Sequence, residues 1–245
     1  MTTTGELSGL IVAERHAFGE LLEALPPSAW DAPSLCEGWR VREVVAHMTM
    51  PFRYTTRRFL GEMVRSGGNF ARMADRVARR DAQASAATLL DGWRSNEGAS
   101  WSPPGGGLEG ALTHDVVHGL DIAVPLGLEH PVTEAALRIV LDAASAPGSR
   151  KHFGVDLNGV QLQADDLDWT FGDGEPLRGS ARHLLLVLCG RHLRAGPSAD
   201  EQRQRPGPAD LARRPGHGGG IGEGELRHSF EPDLEGDAEL HPGQM

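Results

Sequence analysis

The sequence predicts a mainly α-helical chain that closes on a small mixed α/β unit, and three observations carry that prediction. Apolar residues recur every three or four positions as far as Ala144, the spacing that lays one buried stripe along a helix. Past Val155 the spacing shortens toward alternation, with Val155, Leu157, Val160 and Leu162 in turn, as in a half-buried strand. From about Ala195 onward Gly, Pro, Arg, Asp and Glu dominate and no core-forming period remains. A flexible tail over 196–245 is therefore expected.

Taken in order, the first helix is expected on Leu7, Leu10, Ile11, Phe18, Leu21, Leu22 and Leu25, with Pro26 and Pro27 stopping it. A loop with Trp30 and Trp39 follows. A second helix begins near Trp39 or Arg40 on Val41, Val44, Val45 and Met48, with His47 at the edge of that apolar side and Arg42 and Glu43 as a solvated start. Pro51 is expected to end or kink it, and the pattern resumes through Phe52, Phe59, Leu60 and Met63. Gly67 and Gly68 then lead into a polar, Arg-rich region over 69–80. Helical character returns over 82–96, the run 102–107 is a loop, and a long helix spans 111–127. A further helix over 132–144 is closed by Pro147, Gly148 and Ser149. Short strands are expected over 155–164 and 167–171, with a turn at Asp173 and Gly174, before a last helix over 180–193.

The formal net charge of -10, with no basic run of five residues, excludes nucleic acid or an anionic membrane as the main partner. The two cysteines, Cys36 and Cys189, form no paired motif, so neither a disulfide framework nor a thiolate metal site is expected and a reducing cytoplasm suits them. The N-terminus lacks a basic start followed by an apolar run, so no cleaved secretion signal is expected. The longest apolar stretch, 184–189, is too short to cross a bilayer.

His114 and His118 lie four residues apart on the 111–127 helix, which puts both imidazoles on one face, one turn apart. A metal ion fits between them if a third ligand comes from elsewhere, and His47 is the candidate. Spacing alone leaves the alternative open, since a pair of this kind is equally a pair of core or surface histidines. Three neutral imidazoles would leave a zinc-like ion its full charge and one or two open positions. Asp121, three residues after His118, is placed to accept from the ring nitrogen facing away from the ion, whereas Asp115, directly after His114, is expected to point away as a solvated or salt-bridged group. Trp30 and Trp39 read as packing anchors. His152, His183, His192, His217, His228 and His241 read as structural or solvent-facing.

Two stretches carry a family resemblance. WDAPSLCEGWRVREVVAHM at 30–48 and VHGLDIAVPLG at 117–127 resemble the signatures of proteins related to mycothiol-dependent maleylpyruvate isomerase, within the DinB-like superfamily. The resemblance covers roughly 7–195 and implies an up-and-down four-helix bundle over 1–148, a small α/β domain over 149–195, and metal ligands at His47, His114 and His118. It also implies an enzyme that uses a divalent metal, zinc by preference, with mycothiol as co-substrate, in which Asp121 supports a ligand. The isomerase branch has a glutamate where this chain has His114, so a thiol transferase acting on a small electrophile is the leading expectation. A cis-trans isomerase, a metal-dependent hydrolase and a non-enzymatic metal-binding or regulatory protein are the alternatives, as a monomer or homodimer.

Overall fold

The computed structural model describes residues 2–193, and the expected tail over 196–245 lies outside the described residues. In chain order the helices are α1 (Thr4–Glu23), α2 (Val41–Arg53), α3 (Thr56–Arg65), α4 (Phe70–Asp81), α5 (Ala86–Arg94), α6 (Gly107–Leu126), α7 (Glu134–Ser145) and α8 (Pro147–Phe153). Strands β1 (Val160–Ala164), β2 (Thr170–Gly172) and β3 (Glu175–Gly179) follow, then α9 (Ala181–Leu188). The bundle is a closed ring: α1 packs on α6 and α5, and α2 packs on α5 and α6. The mainly α class with a small terminal sheet is therefore the observed one. Among the described residues no helix is long and apolar enough to cross a membrane.

Helix starts follow local chemistry. Thr3 caps α1 and Glu6 returns the bond in a capping box, so the helix begins before its first buried leucine. At the start of α2, Glu43 is not solvated as expected. It is buried, accepts the Arg40 backbone N–H at 2.8 Å, and pairs with the Arg40 guanidinium at 2.6 Å. Pro51 does not end α2, because it sits in the last turn and the helix continues to Arg53. Pro147 likewise opens α8 from the first helical position, where its missing N–H costs nothing.

The Arg-rich region read as irregular is α4. Asn69 caps it, and Met73, Ala74, Val77 and Ala78 make a buried face against α2. Arginine stems had hidden that narrow stripe, and two of them, Arg76 and Arg80, hold Glu62 of α3 at 2.6 and 2.8 Å.

The sheet order is β2-β1-β3, with β2 antiparallel and β3 parallel to β1. Asp173 and Gly174 therefore do not close a hairpin; they carry the chain around the start of β1. Gly174 has φ 132°, and any side chain there would run into the backbone of Gly159, so the wrap requires glycine. The strand β3 went unpredicted because its residues are mostly exposed and show no alternation. Leu162 of β1 and Leu184 and Leu185 of α9 share one apolar cluster with Leu112 and Leu120 of α6 and Leu141 of α7. A second cluster joins Phe18 and Leu22 of α1, Val44 and Val45 of α2, and Trp93 of α5.

Candidate metal centre

The structure brings His47 of α2 together with His114 and His118 of α6. Their ring centroids lie 5.4 Å (47 to 114), 5.2 Å (47 to 118) and 4.8 Å (114 to 118) apart. One nitrogen from each falls within 4.8 Å of the others. The His47 side lies against the ring of Trp39 at 5.2 Å and the His114 side against Trp101 at 5.2 Å. Trp30 is a buried packing anchor as expected, and Trp39 packs against the same apolar cluster while its ring lies beside His47 and its indole N–H donates to Asp75 at 2.9 Å.

Each histidine of α6 has a carboxylate behind it. His118 Nδ1 meets Asp121 Oδ2 at 2.9 Å, and His114 Nδ1 meets Asp115 Oδ1 at 3.0 Å. Asp115 is salt-bridged, as one alternative had it, to Arg15 at 2.7 Å, but it is buried and engaged with the site, which corrects the expectation that it points away. Neighbouring residues on a helix do not face each other, but Nδ1 is the ring atom nearest the backbone and a short carboxylate reaches it. With Nδ1 occupied on both rings, Nε2 remains for a ligand.

Asp121 carries most of the site's wiring. Arg191, just past α9, donates to both its oxygens at 2.8 Å, and the Cys36 thiol donates to Oδ2 at 3.0 Å. Burial opposes a charge on Asp121, yet the bonds from Arg191 and His118 outweigh it and hold the carboxyl below its usual range. Burial together with the Asp121 charge pushes the Cys36 thiol up, so it stays protonated. The loop that brings Cys36 here is docked by a helix irregularity. Pro125 has no N–H to give the Asp121 carbonyl four residues back, and the Leu35 N–H takes that carbonyl at 2.9 Å instead.

The three-histidine donor set fits a divalent transition ion. Burial, with His118 and His114 adding to it, pushes His47 well below the usual imidazole value, and burial also lowers His118 despite Asp121. Both rings are therefore neutral, the state a ligand needs. His47 Nδ1 is buried with no hydrogen-bond partner among the described residues, so this ring has a polar atom that protein groups leave unserved. Cys36, His118 and Asp121 also cluster within 4.8 Å. There the guanidinium of Arg191 already supplies the positive charge, 3.7 Å from the Cys36 sulfur, which makes this group support for the first centre.

Sequence reasoning missed Arg15, Trp101, Asp115, Arg191 and the placement of Cys36. One signal was available: Glu14 and Arg15 interrupt the apolar stripe of α1 between Ile11 and Phe18, and a charge on such a stripe demands a buried partner. Both are buried, Glu14 against His130 at 2.6 Å and Arg15 against Asp115 at 2.7 Å.

Residues 11–100 match the family model described as the mycothiol maleylpyruvate isomerase N-terminal domain. The match includes His47 and ends before α6. Among solved structures, the mycothiol-dependent maleylpyruvate isomerase is similar with a TM-score of 0.50 and 14% identity, over 77% of this chain and 89% of that chain. A mutant of the same enzyme gives a TM-score of 0.43 and 15% identity over the same shares. No curated protein matches. Residues 11–100 thus match the family that the 30–48 signature resembles, and the chain shares the fold of the mycothiol-dependent maleylpyruvate isomerase.

Proposed function

We propose that the protein is a metal-dependent cytoplasmic enzyme that joins mycothiol, or a similar low-molecular-weight thiol, to a small electrophilic substrate. The observation that carries this reading is the position of His47, His114 and His118 on the wall of a cavity of about 1000 Å³, which Met50, Phe59 and Trp101 also line. That volume lies at the upper end of ordinary small-molecule sites and leaves room for a thiol with a second molecule beside it. A divalent ion, zinc by the ligand set, supplies the positive charge that keeps a thiol ionised near neutral pH.

The chain's own residues prepare the site for that chemistry. Asp115 and Asp121 each hold a ring N–H, which aims the far nitrogens of His114 and His118 at one point. Met50, Phe59 and Trp101 give the carbon skeleton of a substrate an apolar surface to pack on beside the histidines. In the transfer the thiol gives up its proton and its sulfur bonds to the electrophilic carbon of an activated double bond. The π pair passes to the activating group, which takes up a proton, and the adduct is the product.

A second reading is cis-trans isomerisation, in which the adduct rotates about the former double bond and then expels the thiol. The domain match over residues 11–100 speaks for it; His114, where the isomerase branch carries a glutamate, speaks for transfer. The test is to incubate zinc-loaded protein with mycothiol and a panel of electrophiles and to follow products by mass. A thiol-dependent gain of the thiol's mass supports transfer, and a thiol-dependent product of unchanged mass supports isomerisation. Turnover that ignores the thiol overturns both and points to a hydrolase.

A further inference from the structure

Arg15 is fully buried in α1, at a place where the apolar stripe of that helix should continue. Burying a guanidinium is costly unless its donors are served. Its Nε donates to Asp115 Oδ2 at 2.7 Å and its Nη1 donates to the Ala99 carbonyl at 2.5 Å, while its Nη2 is buried with no hydrogen-bond partner among the described residues. The other oxygen of Asp115 is the one that His114 Nδ1 reaches at 3.0 Å. The guanidinium also lies 5.5 Å over the Phe52 ring, Phe52 meets Trp101 edge-on at 6.5 Å, and Trp101 meets His114 edge-on at 5.2 Å. One buried cation therefore touches both supports of His114: the carboxylate behind the ring and the chain segment that carries the aromatic wall beside it.

We propose that Arg15 is a positioning residue of the metal centre, acting through Asp115 on the His114 ring and through the Ala99 carbonyl on the Trp101 wall. This rests on the metal-centre reading above. Asp115, gripped by Arg15, presents only an acceptor to His114. The ring must then carry its proton on Nδ1 and offer the Nε2 lone pair outward. The backbone of Arg15 is fixed as well, since its carbonyl accepts the indole N–H of Trp93 at 2.8 Å. A plain helix-to-helix ion pair would hold α1 to α6 but would leave the affinity of the centre unchanged when softened.

The test compares zinc affinity, by chelator competition, in the wild type, His114→Ala, Asp115→Asn and Arg15→Lys. The expected result is zinc binding by the wild type, its loss in His114→Ala, about 10–100-fold weakening in Asp115→Asn, and a smaller weakening in Arg15→Lys. If Arg15→Lys folds and binds zinc as the wild type does while His114→Ala does not, the proposal is overturned, whatever Asp115→Asn does, and the metal centre stands. A wild type without zinc affinity overturns the metal-centre reading itself. Should the variants not fold, histidine nitrogen NMR on the zinc-loaded wild type decides. A slowly exchanging proton on His114 Nδ1, with the metal on Nε2, supports the proposal, and an unprotonated Nδ1 overturns it.

Discussion

Gly119→Ala sets a gain against two losses, and the structure fixes which wins. Gly119 lies in the middle of α6, where alanine is better for the helix by about 1 kcal/mol. The added methyl, however, would sit 2.6 Å from His130 Nε2, the atom bonded to Glu14 Oε1 at 2.6 Å. Both partners are buried and His130 Nδ1 has no second bond among the described residues, so the imidazole has nowhere polar to go. Losing a buried charge-assisted bond costs about 1.5–3 kcal/mol, and forcing a methyl into a filled core costs about 1–3 kcal/mol. The net is a destabilisation of about 1.5–5 kcal/mol, or roughly 3–20 °C in Tm for a chain of this size. Thermal unfolding followed by circular dichroism measures it. Adding His130→Ala should leave the double variant no less stable than His130→Ala alone. A Gly119→Ala protein as stable as the wild type would refute the argument from close approach.

Three further outcomes are expected. His118→Ala should lower zinc affinity by more than the about 10–100-fold that loss of a supporting partner costs, read by chelator competition; an unchanged stoichiometry and affinity would count against the three-histidine centre. The folded-state pKa values of His47 and His118 are depressed, so the unfolded chain binds more protons below the ordinary imidazole value of about 6.5 and metal-free stability falls as pH drops through it. Melting curves from pH 8 to 5 should show that loss, with a shallower slope in His47→Gln, and equal slopes would refute the assignment. Pro125→Ala restores an N–H that competes for the Asp121 carbonyl, so hydrogen exchange of the Leu35 amide should quicken; unchanged protection would mean the loop is held by other contacts.

Much of the site was legible because its residues obey local rules. His114 and His118 share a face by helical spacing, and Asp121 follows His118 at the offset that lets a carboxylate reach back along the same face. His47 could be named as the candidate third ligand from its place at the edge of an apolar helix side, and the family signature added to that, since nothing in one helix's period says which ring of another helix it meets. The partners of Arg15 and Arg191 were illegible for the same reason, since Asp115 and Asp121 lie far along the chain from them. In the fold, α4 was obscured by arginines whose stems cover its narrow buried face, and β3 by residues that are mostly exposed. Pairing in that strand is set by the wrap around Gly159, which no side-chain pattern encodes.

The apolar cluster shared by α6, α7, β1 and α9 bears on how the protein is made. During synthesis the ligand-bearing helix emerges well before Leu162, Leu184 and Leu185, the side chains that cover its inner face. Until they arrive, α1 and α7 cover only part of the cluster around Leu112, Leu120 and Leu141, and a nascent chain stopped after α7 leaves the rest of that apolar surface open to self-association. Arg191, which grips Asp121, likewise leaves the ribosome only after α9.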